Sequence, residues 1–153
     1  MRACIRLLAV LVAGSALHFA ADDPVIGTWK LNVAKSKYLP GPAPRSETRV
    51  YEAAPDGIRA TVTMVTHSGQ TIVEKYPSNS DGREQTVTGA PDKDGIIMTK
   101  IDFFTSESKI IHGENVIGLA RRVVSGDGKT MTITYEGTLN GEKVKNVALY
   151  DRQ

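Results

Sequence analysis

From residue 47 onward the chain alternates apolar and polar residues in short runs, each broken by turn-forming residues. Residues 129–136 give the cleanest run. Met131, Ile133 and Tyr135 fall on one side, and Thr130, Thr132 and Thr134 fall on the other. A period of two is the signature of a strand with one face turned to a core. The same pattern predicts strands over 48–54, 58–67, 71–76, 84–88, 96–104, 109–112, 116–125 and 142–152. Residues 105–108 break one run from the next, and Asn140-Gly141 is the strongest two-residue hairpin signal. Ahead of this series, residues 27–33 place Trp29, Leu31 and Val33 opposite Thr28, Lys30 and Asn32, which predicts an opening strand. Between them, residues 34–46 hold Pro40, Pro42 and Pro44 around Gly41. Alternating prolines continue neither a helix nor a central strand, so this stretch reads as an extended, stiff loop. No window of ten residues shows helical periodicity.

Nine or ten short strands in succession form either a sandwich or a barrel. Turns this short favour pairing between sequence neighbours, hence a meander. A meander of this length protects its edges best by closing on itself. The predicted fold is therefore all-β, an up-and-down antiparallel barrel of about 8–10 strands. Trp29 is expected to plug one end, at a cost of about 3–5 kcal/mol on truncation to alanine. Alternation turns Met64, Ile72, Tyr76, Met98, Met131, Ile133 and Tyr135 inward. They either fill the barrel or line a pocket in which flexible methionines adapt to a guest; alternation does not decide between the two.

The beginning of the chain changes the reading of charge and compartment. Residues 1–6 carry Arg2 and Arg6 and no acid, and residues 7–21 are apolar apart from Ser15 and His18. This is a basic segment followed by an apolar one too short to span a bilayer, which needs roughly 20 apolar residues. Residues 1–21 are thus expected to be a signal peptide and 22–153 the folded domain, secreted or periplasmic. Removing the segment leaves 17 Lys and Arg against 17 Asp and Glu. A neutral chain with no basic aromatic stripe makes nucleic acid a poor partner. Cys4, the one cysteine, leaves with the segment, and with it disulfide and thiolate chemistry.

Several stretches resemble known proteins. Gly27-Thr28-Trp29-Lys30-Leu31 is similar to the opening strand of fatty-acid-binding proteins, and hence of the calycin superfamily that also holds the lipocalins. Residues 27–32, 34–38, 121–125 and 127–132, with Asn146, Val147, Tyr150 and Asp151, resemble a group of secreted bacterial lipocalin-like proteins over nearly the full length. The resemblance implies a barrel around a cavity for a small, mostly apolar molecule. Fatty-acid-binding proteins carry two helices where this chain has its Pro-rich loop. They hold a carboxylate with Arg-x-Tyr on the last strand, where this chain has Ala148 and Tyr150. A neighbouring-strand arginine has its counterpart in Arg122 or Arg121, which could still hold a carboxylate. The ligand-binding residues expected are Trp29, Met64, Tyr76, Met98, Arg122, Met131, Ile133, Tyr135 and Tyr150.

Catalysis is not expected. No nucleophile elbow is present, His67 and His112 stand far apart beside turns, and Lys100 with Asp102 reads as a charge pair on one strand. No metal and no cofactor are expected, and neither is a membrane span; the chain is taken as a monomer. Two classes of function remain: a carrier of a small apolar molecule, and a filled barrel whose surface docks another macromolecule. The Pro-rich loop separates them, acting as a lid in the first and as a docking strip in the second.

Overall fold

A computed structural model describes residues 23–139 and 141–153. The signal peptide expected over 1–21 and Asn140 of the expected Asn-Gly turn lie outside the described residues. The strands are β1 (Gly27–Leu31), β2 (Lys37–Leu39), β3 (Ser46–Ala54), β4 (Gly57–Val65), β5 (Thr71–Pro77), β6 (Asp81–Thr86), β7 (Gly95–Lys100), β8 (Thr105–His112), β9 (Asn115–Val124), β10 (Thr130–Leu139) and β11 (Glu142–Arg152). All pairs are antiparallel, and ten strands run in the order β5-β4-β3-β1-β11-β10-β9-β8-β7-β6. Each joins its sequence neighbour except where β1 lies between β3 and β11. The edges β5 and β6 approach each other across one bridge, in which Lys75 and the residue Thr88 beyond β6 exchange N–H···O bonds of 2.9 Å both ways. The result is a nearly closed up-and-down barrel, as the alternation predicts.

Three stretches differ most from the sequence reading. The loop at 34–46 contains a short 3-10 turn, Val33–Lys35, capped by the Asn32 side chain, and then β2, which pairs Lys37, Tyr38 and Leu39 with Val147, Asn146 and Lys145 of β11. The prolines begin only at Pro40, which leaves β2 its donors. The run expected over 96–104 stops at Lys100. Asp102 turns the chain by accepting the Phe104 N–H at 2.9 Å, a local side-chain turn that outcompetes the strand. The polar residues 105–108, expected to break the sheet, instead begin β8, with Thr105 and Ser106 buried.

One end of the barrel is solid. Trp29 is wholly buried, its indole N–H donates to the Val25 carbonyl at 2.8 Å, and the Arg152 guanidinium stacks 4.3 Å from its ring centroid. That guanidinium also donates to the carbonyls of Pro24, Ile26 and Gly128. Its donors are thus satisfied while its flat face covers the indole. Met131, Val124 and Leu31 complete the buried layer. Among the described residues no helix is long and apolar enough to cross a membrane.

Candidate functional site

Above the tryptophan layer the interior is hollow. A cavity of about 440 Å³ occupies the other half of the barrel, within the range of small-molecule sites. Met64, Tyr76, Met98, Ile133 and Tyr135, expected from alternation, line it together with Arg122 and Tyr150, expected from the resemblance, so seven of the nine expected residues meet there. Trp29 and Met131 do not line it. Both have no exposed surface and are packed in the buried core beneath the cavity. Pro42 and Pro44 line the mouth with Tyr38, His67 and Leu139, which places the Pro-rich loop over the opening.

The polar part of the cavity is built from β3, a strand whose charged residues face inward. Glu47, Arg49 and Tyr51 share its inner face, while Thr48 and Val50 turn outward. Arg49 reaches across β1 to β11. Its Nε donates to Glu47 Oε1 at 2.5 Å and to the Tyr150 hydroxyl at 3.1 Å, and its Cζ lies 5.3 Å from the Tyr150 ring centroid. The Tyr150 hydroxyl in turn donates to Glu47 Oε1 at 2.8 Å, closing a three-membered network. Removing one partner of a buried pair like this commonly costs about 3–5 kcal/mol, since the other charge is stranded. Burial works against the Arg49 charge, but Glu47 and the surrounding tyrosine hydroxyls outweigh it and hold the pKa well above the ordinary arginine value.

Arg122 is held differently. Its Nη1 donates to Ser78 Oγ at 3.2 Å and its Cζ stands 5.2 Å from the Tyr51 ring centroid, but it has no carboxylate partner among the described residues. Ser106, directly across from Arg122 in the β8–β9 register, carries the one buried side-chain polar atom without a hydrogen-bond partner among the described residues. Burial alone would push the Tyr51 hydroxyl up; Arg49 and then Arg122 on either side bring its pKa below the ordinary value. Tyr76 is raised, first by burial and then by the neighbouring Tyr51 hydroxyl. Tyr150 is also raised, by burial above all, since the effect of Arg49 is opposed by Glu47.

A second ion pair stands nearer the mouth, where Lys93 Nζ meets Glu74 Oε1 at 2.7 Å with Asp92 at 3.7 Å. The wall opposite is shaped by two glycines. Gly118 of β9 and Gly137 of β10 face each other, and a Cβ on either would fall within 2.6 Å of Tyr135 atoms. The Tyr135 ring lies in the groove they leave, its hydroxyl donating to the Ile117 carbonyl at 3.4 Å. Glycine here lets a large side chain fold against the sheet and leave the space in front of it open.

Sequence reasoning missed Glu47, Arg49 and Tyr51. Their spacing at 47, 49 and 51 puts them on one strand face, but charged residues on a strand face read as solvated. The available signal was Tyr51, an aromatic on the same face as the two charges, but Val50 alternates with them and competes for the interior. Among the described residues no group of three His, Cys, Asp or Glu is placed to hold a metal. No protein-family model matches the chain, and no curated protein matches it.

Proposed function

We propose that this is an exported, calycin-like barrel protein that carries a small, mostly apolar molecule bearing one anionic group, without acting on it chemically. The observation that carries this reading is the Arg122 guanidinium, which lines a cavity of about 440 Å³ and pairs with no carboxylate among the described residues. Half-buried and held by the Ser78 hydroxyl and the Tyr51 ring alone, Arg122 gains from an anionic partner. A carboxylate or similar group entering beside Arg122 supplies that partner. Met64, Met98, Ile133 and Tyr135 offer the rest of the guest an apolar, adaptable wall. The Pro-rich loop acts as a stiff lid at the mouth, and the protein works as a monomer in the secreted or periplasmic space.

Two fluorescent probes test the reading, anilinonaphthalene sulfonate as the anionic one and Nile red as the neutral one. The protein is expected to take up both. Arg122→Met should weaken the sulfonate at least tenfold, about 1.4 kcal/mol, while Nile red changes little. Deleting residues 40–43 should alter uptake more than melting temperature. If neither probe enters, the carrier reading fails and a surface-docking scaffold takes its place.

A further inference from the structure

The closed end of the barrel carries the most concentrated exposed apolar feature outside the cavity. In the turn between β7 and β8, Ile101 is 49% exposed, Phe103 56% and Phe104 37%. The two phenylalanine rings meet edge to face with centroids 5.0 Å apart. The turn is held outward rather than left loose. Asp102 accepts the Phe104 N–H, the Ile101 N–H donates to the Thr105 carbonyl at 3.0 Å, and the Val124 N–H donates to the Phe104 carbonyl at 3.0 Å. An apolar tip fixed in this way costs hydration in free solution, and an interaction surface is the usual reason for one.

We infer that this tip enters the interfacial region of a lipid bilayer, so that the barrel sits closed end down on a membrane surface with its mouth facing away. Two observations choose a bilayer over a protein. The tip offers three exposed apolar side chains, whereas a stable protein interface takes about 20–30 residues a side; a lipid interface needs no matching shape. The second observation is where the described chain begins, since the expected signal peptide precedes Asp23 in the sequence. Lys100, whose Nζ lies 5.7 Å from the Phe103 ring centroid, pairs with Asp23 at 2.6 Å. In the sequence, Asp22 alone separates the apolar residues 7–21 from Asp23, the first described residue. If residues 7–21 act as the expected signal, export brings this end of the barrel, with its aromatic tip, to the bilayer surface; the inference rests on that reading. The inference does not depend on what the cavity holds.

The experiment uses the chain from Asp23 onward, which holds every described strand and the whole buried core. It is mixed with vesicles of phosphatidylethanolamine and phosphatidylglycerol and separated by flotation. A measurable bound fraction is expected, falling at least fivefold in Phe103→Ser/Phe104→Ser with melting temperature and probe uptake retained. In Phe103→Trp, emission should shift to the blue on adding vesicles. No flotation, or equal flotation of the double serine variant, overturns the inference. So does concentration-dependent dimerisation that the double variant abolishes, since the tip would then be covered by a second copy.

Discussion

The five tyrosines report on the cavity individually, because the charges around them differ. Tyr51, flanked by two guanidiniums, is the one whose pKa falls below the ordinary 10.0. Tyr38 is pushed up to about 12, first by burial and then by Glu47, and Tyr76, Tyr135 and Tyr150 are also raised. An ultraviolet titration should therefore show one tyrosine ionising ahead of the rest, and Tyr51→Phe should remove that first step. A phenol whose folded pKa is raised adds stability that is complete below its unfolded value and declines as pH climbs through the folded one. For Tyr38 the window runs from 10.0 to about 12; Tyr76, Tyr135 and Tyr150 act in the same direction, and Tyr51 opposes them. Denaturant stability should accordingly fall steadily above pH ~10. A flat profile there would contradict the burial of these hydroxyls. At this scale much was legible: alternation alone turns Met64, Met98, Ile133 and Tyr135 to the cavity. What it could not show is that Glu47 and Arg49 neutralise each other indoors, since a strand carrying both signs looks wet until its neighbours across β1 are known.

At the scale of elements, β9 and β10 decide how much of the interior stays open. Gly118→Val sets a branched side chain where Tyr135 now lies, within 2.6 Å of its ring. The ring must swing into the cavity, and Nile red uptake should drop several-fold while the outer faces of both strands keep their surroundings. A companion change, Tyr135→Leu on the Gly118→Val background, should restore uptake; unchanged binding in Gly118→Val would mean the tyrosine moves elsewhere. The sequence placed most strands within a residue or two because their turns are marked by glycine, proline and Asx residues. It overran β7 because Ile101, Phe103 and Phe104 continue the apolar run, and only the backbone N–H that Asp102 captures shows that the chain has already turned. It missed β2 because three residues are too few to show a period, and their pairing with β11 comes from far along the chain.

At the scale of the whole molecule, closure is uneven. β10 exchanges a full ladder with β11, from Thr130 opposite Asp151 to Leu139 opposite Glu142, whereas β5 and β6 are joined by the Lys75–Thr88 bridge and flanked by the Lys93–Glu74 pair. Opening free energies follow such differences in local pairing. Native-state hydrogen exchange should release the outer amides of β5 and β6 at least a hundredfold sooner than those in the middle of β10 and β11. Uniform protection around the ring would imply a seam stronger than one bridge provides. Barrel closure itself was readable from the count of short strands and turns. The position of this weak seam was not, because no local pattern tells which two edges meet.

The placement of β1 between β3 and β11 makes the first and last strands direct neighbours, Trp29 lying opposite Arg152 and the Gln153 N–H bonded to the Thr28 carbonyl. The two extremities of the described chain are therefore next to each other in the wall. A short linker joining them, with new ends cut at the Gly113 turn on the opposite rim, would be a circular permutant that preserves every ladder except one hairpin. Grafting either extremity of the described chain to a solid support would likewise leave the mouth unobstructed.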